Sequence, residues 1–315
     1  MTLNFRQVET KSQLVNYDVV VIGGGPAGLT AGIYSRRAGL KTILLEKTAL
    51  GGQASLTPLI ENYPGFPEGI SGDKLIEKMV EQAKKFGVTI AIEEVEKIEQ
   101  APSSLLIKTK NQAYQTKAAI IATGSRPKEL GVSGEKKLIG RGISYCAVCD
   151  GPLFKDRIVG VVGGGDSALT EAIYLSKFTQ KVYLIHRRDQ FRAARSIKDK
   201  VFAIKNIEVI LNALVKRIEG EKRVEGIVIA NQNTNQETEL KLDGLFIYVG
   251  NIPNTDFVKG LINLDEEGYI VTDENLMTNV FKIFAAGDVR KKPLRQIATA
   301  VGDGALAAIM VEKNL

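Results

Sequence analysis

The 315-residue sequence has no tryptophan, a single histidine and only two cysteines, and aromatic residues make up 6% of it. Two cysteines cannot build the multi-bridge framework that holds small secreted domains together. One histidine with two cysteines also falls short of the four ligands a structural zinc site normally takes, so no metal is expected. Long apolar runs are missing too: no stretch reaches the roughly 18 apolar residues of a membrane span. The lead MTLNFRQVETKSQLVNYD is polar and mixed in charge, without the apolar core of a secretory signal. A cytoplasmic location is expected. The net charge is +6, with a pI near 9.1, but the lysines and arginines are spread along the chain. Spread charge reads as solvated surface, so neither nucleic acid nor membrane is an expected partner. A mildly basic face suits an acidic protein partner better.

What is present is ordinary globular composition, 44% hydrophobic and 25% charged, in a chain long enough for two domains. The pattern predicts an α/β fold with two nucleotide-type βαβ units in series. In the first, a strand at Tyr17–Ile22 runs into a glycine turn and a helix to about Ala38, closed by Gly39, before a strand at Lys41–Leu45. In the second, a strand at Ile158–Val162, a turn at Gly163–Gly165, a helix at Ala168–Lys177 and a strand at Lys181–Ile185 repeat that order. Strand-like runs at Leu105–Lys110, Ala118–Ala122, Glu225–Ala230, Gly244–Val249 and Lys282–Ala286 follow, and a helix is expected from Ala298 onward. Boundaries near Thr123 and Asn251 predict two Rossmann-like domains, one inserted into the other: 1–124 with 252–315, and 125–251.

Gly23, Gly25 and Gly28, with Pro26 and Ala27 between them, lie in a strand-to-helix turn. The glycines allow a tight turn, close backbone approach to a pyrophosphate and close helix packing, and the helix-start amides face the phosphates. Pro26 is harmless there because its missing N–H would have no partner anyway. Glu46 ends the next strand, where a carboxylate can accept hydrogen bonds from an adenosine ribose. The second motif has Gly163, Gly165 and Ala168 around Asp166 and Ser167, but its second strand ends in His186, Arg187 and Arg188, with Arg192 close behind. Guanidinium groups there suit a 2′-phosphate, and hence NADPH over NADH; the alternative is a solvated basic turn.

Cys146 and Cys149 stand three apart, immediately before the second unit. That spacing favours a redox dithiol over two inert buried cysteines, because the sulfurs can join without rearranging the backbone. Opening a disulfide releases a thiolate that needs a proton. The only histidine sits in the basic cluster, which leaves Asp150 as the candidate acid, its pKa raised by burial. An aspartate after such a pair can also simply cap a turn.

The runs SYCAVCDGPLF, VVGGGDSALTEAIYLS and HRRDQFRA, with GGGPAGL, GGQ, ENYPGF, AAGDV and LRQIATAVGDGALAA, resemble the low-molecular-weight thioredoxin reductases in order and over nearly the whole chain. The resemblance implies a flavoprotein oxidoreductase and a homodimer, with an FAD domain made from both chain ends and an inserted NADPH domain carrying the cysteines. FAD would be held by the Gly23–Gly28 turn, by Glu46, Lys47, Gly51, Gly52, Gln53 and Asn62, and by Asp288 on the ribityl chain. Arg295, Gln296 and Ile297 would approach the flavin ring, and Val95, Thr123, Gly124 and Gly287 complete the cofactor-contacting set. His186, Arg187, Arg188 and Arg192 would line the NADPH phosphate site.

By the same resemblance, Cys149 would face the flavin as the charge-transfer thiolate, Cys146 would attack the partner's disulfide and Asp150 would be the proton donor. Rotation of the inserted domain would alternate the two substrates at the flavin. The partner would be thioredoxin or a similar small redox protein such as a glutaredoxin-like one. The alternatives are a related flavoprotein reducing another disulfide acceptor, a ferredoxin-linked enzyme, which would not need the cysteine pair, and a nucleotide sensor, which would not need Asp150. The sequence departs from the family pattern at GNIPNT, where Asn251 stands in a position often held by histidine, and in the length of its lead.

Overall fold

The computed structural model describes residues 14–57 and 59–315, so most of the N-terminal lead lies outside the described residues. The chain separates into two compact units: one holds the chain up to Ser55 with Asp73–Ser125 and Pro253–Leu315, the other Leu56–Gly72 with Arg126–Ile252. The chain crosses from one to the other four times, and the last two crossings run through the short strands Ser125–Pro127 and Asn251–Pro253, which pair with each other. The sequence reading has Asn251–Asp256 as a polar crossing without a strand.

The first unit is built on a seven-stranded sheet. Val15–Ile22 lies at its centre, parallel to Thr42–Glu46 on one side and to Ala113–Ile121 on the other. Ile283–Ala285 adds in parallel to Ala113–Ile121, so a strand from the far end of the chain completes the core of the first. Such central strands are covered on both faces, which is why VVVI at 19–22 and AAII at 118–121 read as continuous apolar runs and are fully or almost fully buried. The helices Pro26–Arg37 and Ile297–Asn314 pack on each other so closely that a Cβ on Gly304 would stand 2.2 Å from the Ala27 carbonyl oxygen.

The second unit repeats the plan on a smaller scale. Ile158–Gly163 lies between Lys181–Ile185 and Gly244–Tyr248, all parallel, with Ile207–Ile210 and Ile143–Ser144 at the edges. A separate antiparallel sheet of Ala213–Glu219, Gly226–Asn231 and Glu237–Lys241 supplies part of its core through Val215, Ile227 and Ile229. In both units the glycine turns leave the carboxyl end of the central strand, beside the point where strand order reverses. Open α/β sheets bind ligands at such points.

Candidate active site

In the first unit, Gly23 leaves the central strand with φ +108°, and a Cβ on it would meet the Ala122 carbonyl oxygen at 2.3 Å. A Cβ on Gly28 would fall 1.9 Å from the Gly23 oxygen, so the helix can start this close to the strand only without a side chain. Gly25 differs: nothing stands within 4 Å of its Cβ position, and this open side lies at the helix N-terminus, where a pyrophosphate needs room. Glu46 is fixed by accepting from the Gly24 amide at 2.7 Å and the Thr48 amide at 3.1 Å. Gly51 donates to the Gly24 carbonyl, which brings the GGQ segment to the same turn, with Gln53 exposed beside it.

The C-terminal segment arrives at this turn as well. Ala286 donates to the Ile121 carbonyl, and a Cβ on Gly287 would lie 2.9 Å from the Ala27 side chain. Asp288 Oδ1 is buried with no hydrogen-bond partner among the described residues, and Arg295 Nε is in the same position. Burial pushes the Asp288 carboxyl up, and the positive charges of Lys292 and Arg295 partly oppose this. Unpaired buried polar atoms are costly, so a carboxylate oxygen left open beside a glycine turn fits a hydroxyl-rich ligand chain. The residues present therefore fit a dinucleotide with a sugar-alcohol arm, as a flavin dinucleotide has.

Other expected cofactor residues make contacts within the protein. Val95 is buried in the unit's core with Ile98 and Ile107, Lys47 pairs with Glu94 at 2.6 Å on the surface, and Thr123 and Asn254 bond each other's backbone. Asn62 lies on the 56–72 segment, which groups with the second unit. Gln296 caps the closing helix in a reciprocal pair with Thr299.

The second unit carries the second glycine turn and the cysteines together. Nothing approaches the Cβ position of Gly165, whereas a Cβ on Gly164 would run into the His186 ring at 2.1 Å. His186 is buried against the turn, and burial followed by the charges of Arg188, Arg187 and Arg192 holds its pKa below the usual range. The basic segment folds over the turn, with the Arg192 amide donating to the Gly164 carbonyl at 2.8 Å and the Ala194 amide to Asp166 at 2.8 Å. The side chains of Arg187, Arg188 and Arg192 are left exposed there. Three guanidinium groups over an open helix start fit a phosphorylated pyridine nucleotide.

Cys146 and Cys149 form a disulfide with Cα atoms 5.3 Å apart. Cys146 caps the short turn Ala147–Asp150, its sulfur accepting the Cys149 amide at 3.2 Å. The Ser144 hydroxyl accepts the Cys146 amide at 3.0 Å and donates to Asp150 Oδ2 at 2.6 Å, while Asp150 Oδ1 is buried without a partner among the described residues. Burial raises the Asp150 pKa and the Ser144 bond opposes that. The result is an acid that keeps its proton to higher pH than an exposed aspartate, one residue from a disulfide.

Ser144 is a site residue the sequence reading did not single out, although it stands in the SYCAVCD run. The Asp303 hub is another: its Oδ2 accepts from the Gly287 amide at 3.0 Å, Arg290 Nε at 3.1 Å and Lys292 Nζ at 2.9 Å. It steadies the loop that presents Asp288. No local signal marks it, because its partners lie 11 to 16 residues away across a turn.

Residues 17–304 match the family model described as pyridine nucleotide-disulphide oxidoreductase. The chain is 44% identical over 303 residues to a thioredoxin reductase of Peptoclostridium acidaminophilum, covering 94% of this chain and 96% of that one. It is 45% identical over 297 residues to a thioredoxin reductase of Bacillus subtilis, covering 94% of each. The crystal structure of thioredoxin reductase from Streptococcus pyogenes superposes with a TM-score of 0.90 at 46% identity, over 96% of this chain and 99% of that one. With two glycine turns, a disulfide and a neighbouring acid already in place, these likenesses make the chain a flavin- and pyridine-nucleotide-using member of the pyridine nucleotide-disulphide oxidoreductases, within their thioredoxin reductase family.

Proposed function

We propose that this chain is a thioredoxin-disulfide reductase that takes electrons from NADPH through FAD to the Cys146–Cys149 disulfide and on to thioredoxin. The observation that carries the reading is the bonded cysteine pair with Asp150 beside it, in the same compact unit as a glycine turn overlain by arginines. On this reading 1–124 with 252–315 form the FAD domain and 125–251 the NADPH domain. The Gly23–Gly28 turn and Glu46 hold the adenosine end of FAD, and Asp288 its ribityl chain. Arg187, Arg188 and Arg192 hold the 2′-phosphate of NADPH. The family likeness supports a homodimer. Among the described residues no helix is long and apolar enough to cross a membrane.

A flavin held by the Gly23–Gly28 turn, Glu46 and Asp288 would supply two-electron transfer between a pyridine nucleotide and the disulfide. The chain's own part begins with the disulfide, which takes up two electrons as its S–S bond breaks. Asp150 gives a proton to one sulfur, and the other remains a thiolate. The Cys146 thiolate attacks the partner's disulfide, forming a mixed disulfide and releasing one partner sulfur. Cys149 then attacks Cys146, so the internal bond re-forms and the partner leaves as a dithiol. Two electrons and two protons reach the partner, one proton passed on from Cys149 as it becomes the attacking thiolate and one from solvent, and Asp150 takes its proton back from solvent, so the enzyme returns to its starting state.

The test is NADPH oxidation by the purified yellow protein with and without thioredoxin, repeated with Cys149→Ser. Thioredoxin-dependent turnover in the wild type is expected. The variant should still bleach with NADPH under anaerobic conditions yet reduce no thioredoxin. A colourless protein that takes up no FAD, or turnover unchanged in Cys149→Ser, refutes the reading. Turnover with a glutaredoxin-like protein but not with thioredoxin would reassign the partner.

A further inference from the structure

Tyr248 ends the strand Gly244–Tyr248 and stands opposite Gly163, the first glycine of the second turn. Its phenol oxygen accepts the Ala147 amide at 2.5 Å, across 101 residues of sequence. Ala147 is fully buried, so water cannot replace that acceptor while the turn is closed. The amide lies at the backbone switch on which the disulfide depends. Cys146 is extended, at φ −147° and ψ 99°, and Ala147 begins the helical turn that carries Cys149 back to it. The Cys149 and Asp150 amides are held within the turn, by the Cys146 sulfur at 3.2 Å and the Cys146 carbonyl at 3.0 Å. The Ala147 amide is held from a distant strand.

We propose that Tyr248 is a positioning residue for the redox couple, its hydroxyl fixing the Cys146–Ala147 backbone in the geometry that closes the disulfide. The inference rests on the reading of Cys146 and Cys149 as a reversible couple. Burial keeps the phenol protonated against the opposing pull of the Ala147 amide, so it remains a neutral acceptor. No proton or electron passes through it. Its effect is asymmetric between the two states. The closed form needs the buried Ala147 amide satisfied in place, whereas the dithiol can loosen the turn and give that amide to water. Removing the hydroxyl therefore penalises the disulfide more than the dithiol and lowers the effective concentration of one sulfur at the other. A net hydrogen bond of about 1.4 kcal/mol corresponds to roughly a tenfold change in that equilibrium.

The experiment equilibrates wild-type and Tyr248→Phe holoenzyme anaerobically in oxidised and reduced dithiothreitol, then counts alkylated cysteines by mass after acid quench. The phenylalanine ring keeps the packing, so both proteins should melt alike when reduced. The variant is expected to need an oxidised-to-reduced ratio about tenfold higher than wild type to become half disulfide. A midpoint within twofold of wild type overturns the inference. Should the wild-type pair not titrate at all, the reversible couple itself fails, and the inference with it. A second measurement needs no variant: the Ala147 amide should exchange slowly with solvent in the oxidised protein. Exchange there as fast as at the neighbouring, partly exposed Val148 also overturns the proposal.

Discussion

Replacing Gly304 with alanine should destabilise the first unit, and the structure indicates by how much. Gly304 sits inside the closing helix Ile297–Asn314, and its missing Cβ would lie 2.2 Å from the Ala27 carbonyl oxygen and 3.1 Å from the Ala31 amide nitrogen. Both neighbours are backbone atoms of the helix Pro26–Arg37, so no side chain can swing aside and the helices must part by roughly 1 Å. Overpacking of this kind costs about 1–3 kcal/mol. Alanine's better helix propensity offsets roughly 1 kcal/mol of that. The net loss is then up to about 2 kcal/mol, which lowers the melting temperature by up to roughly 8 °C for a unit of this size. The consequence reaches the site, because the displaced helix begins at the Gly23–Gly28 turn, so flavin retention on gel filtration should fall as well. Gly302, in the same helix, is the control. Nothing lies within 4 Å of its Cβ position, so Gly302→Ala should stabilise by up to about 1 kcal/mol. Thermal melts of the two variants should move in opposite directions. If Gly304→Ala melts at or above wild type with full flavin content, the close helix contact does not limit the cofactor turn.

Neutralising Arg187, Arg188 and Arg192 should weaken NADPH far more than NADH, since each charge-assisted phosphate bond contributes about 1.5–3 kcal/mol; equal loss in KM for both nucleotides would contradict the phosphate role. Asp150→Asn should slow disulfide reduction about 10²-fold while leaving flavin reduction by NADPH intact in stopped-flow traces, and slowing of both steps would point to misfolding instead. Ser144→Ala removes a bond that favours the ionised Asp150. The carboxyl should then hold its proton to still higher pH, shifting the alkaline limb of the turnover profile upward; a limb that stays put or moves down assigns it to another group.

The site divides by how local its causes are. Glycine turns announce themselves in sequence because their constraint lies within a few residues. Gly28 must be bare because Gly23, five positions away, curls back over it. The periodicity of a buried parallel strand is equally local, and Lys181–Ile185 occurs with the expected bounds. Strand ends drifted where pairing extends a run beyond its apolar part, as when Ala113–Ile121 starts well before the expected Ala118 because polar residues such as Gln115 and Thr116 still pair with Val15–Tyr17 and Ser104–Thr109.

The order of residue types along the chain determined the two nucleotide units, the thiol couple and its neighbouring acid, since each is a short motif whose chemistry follows from spacing. Tertiary structure alone decided what surrounds them. Ser144 and burial set the proton affinity of Asp150, and Tyr248 reaches the redox turn from 101 residues away. Asp303 gathers an amide and two cations beneath the Asp288 loop. Burial and long-range hydrogen bonds depend on which segments the sheets bring together, and local sequence patterns carry no record of that.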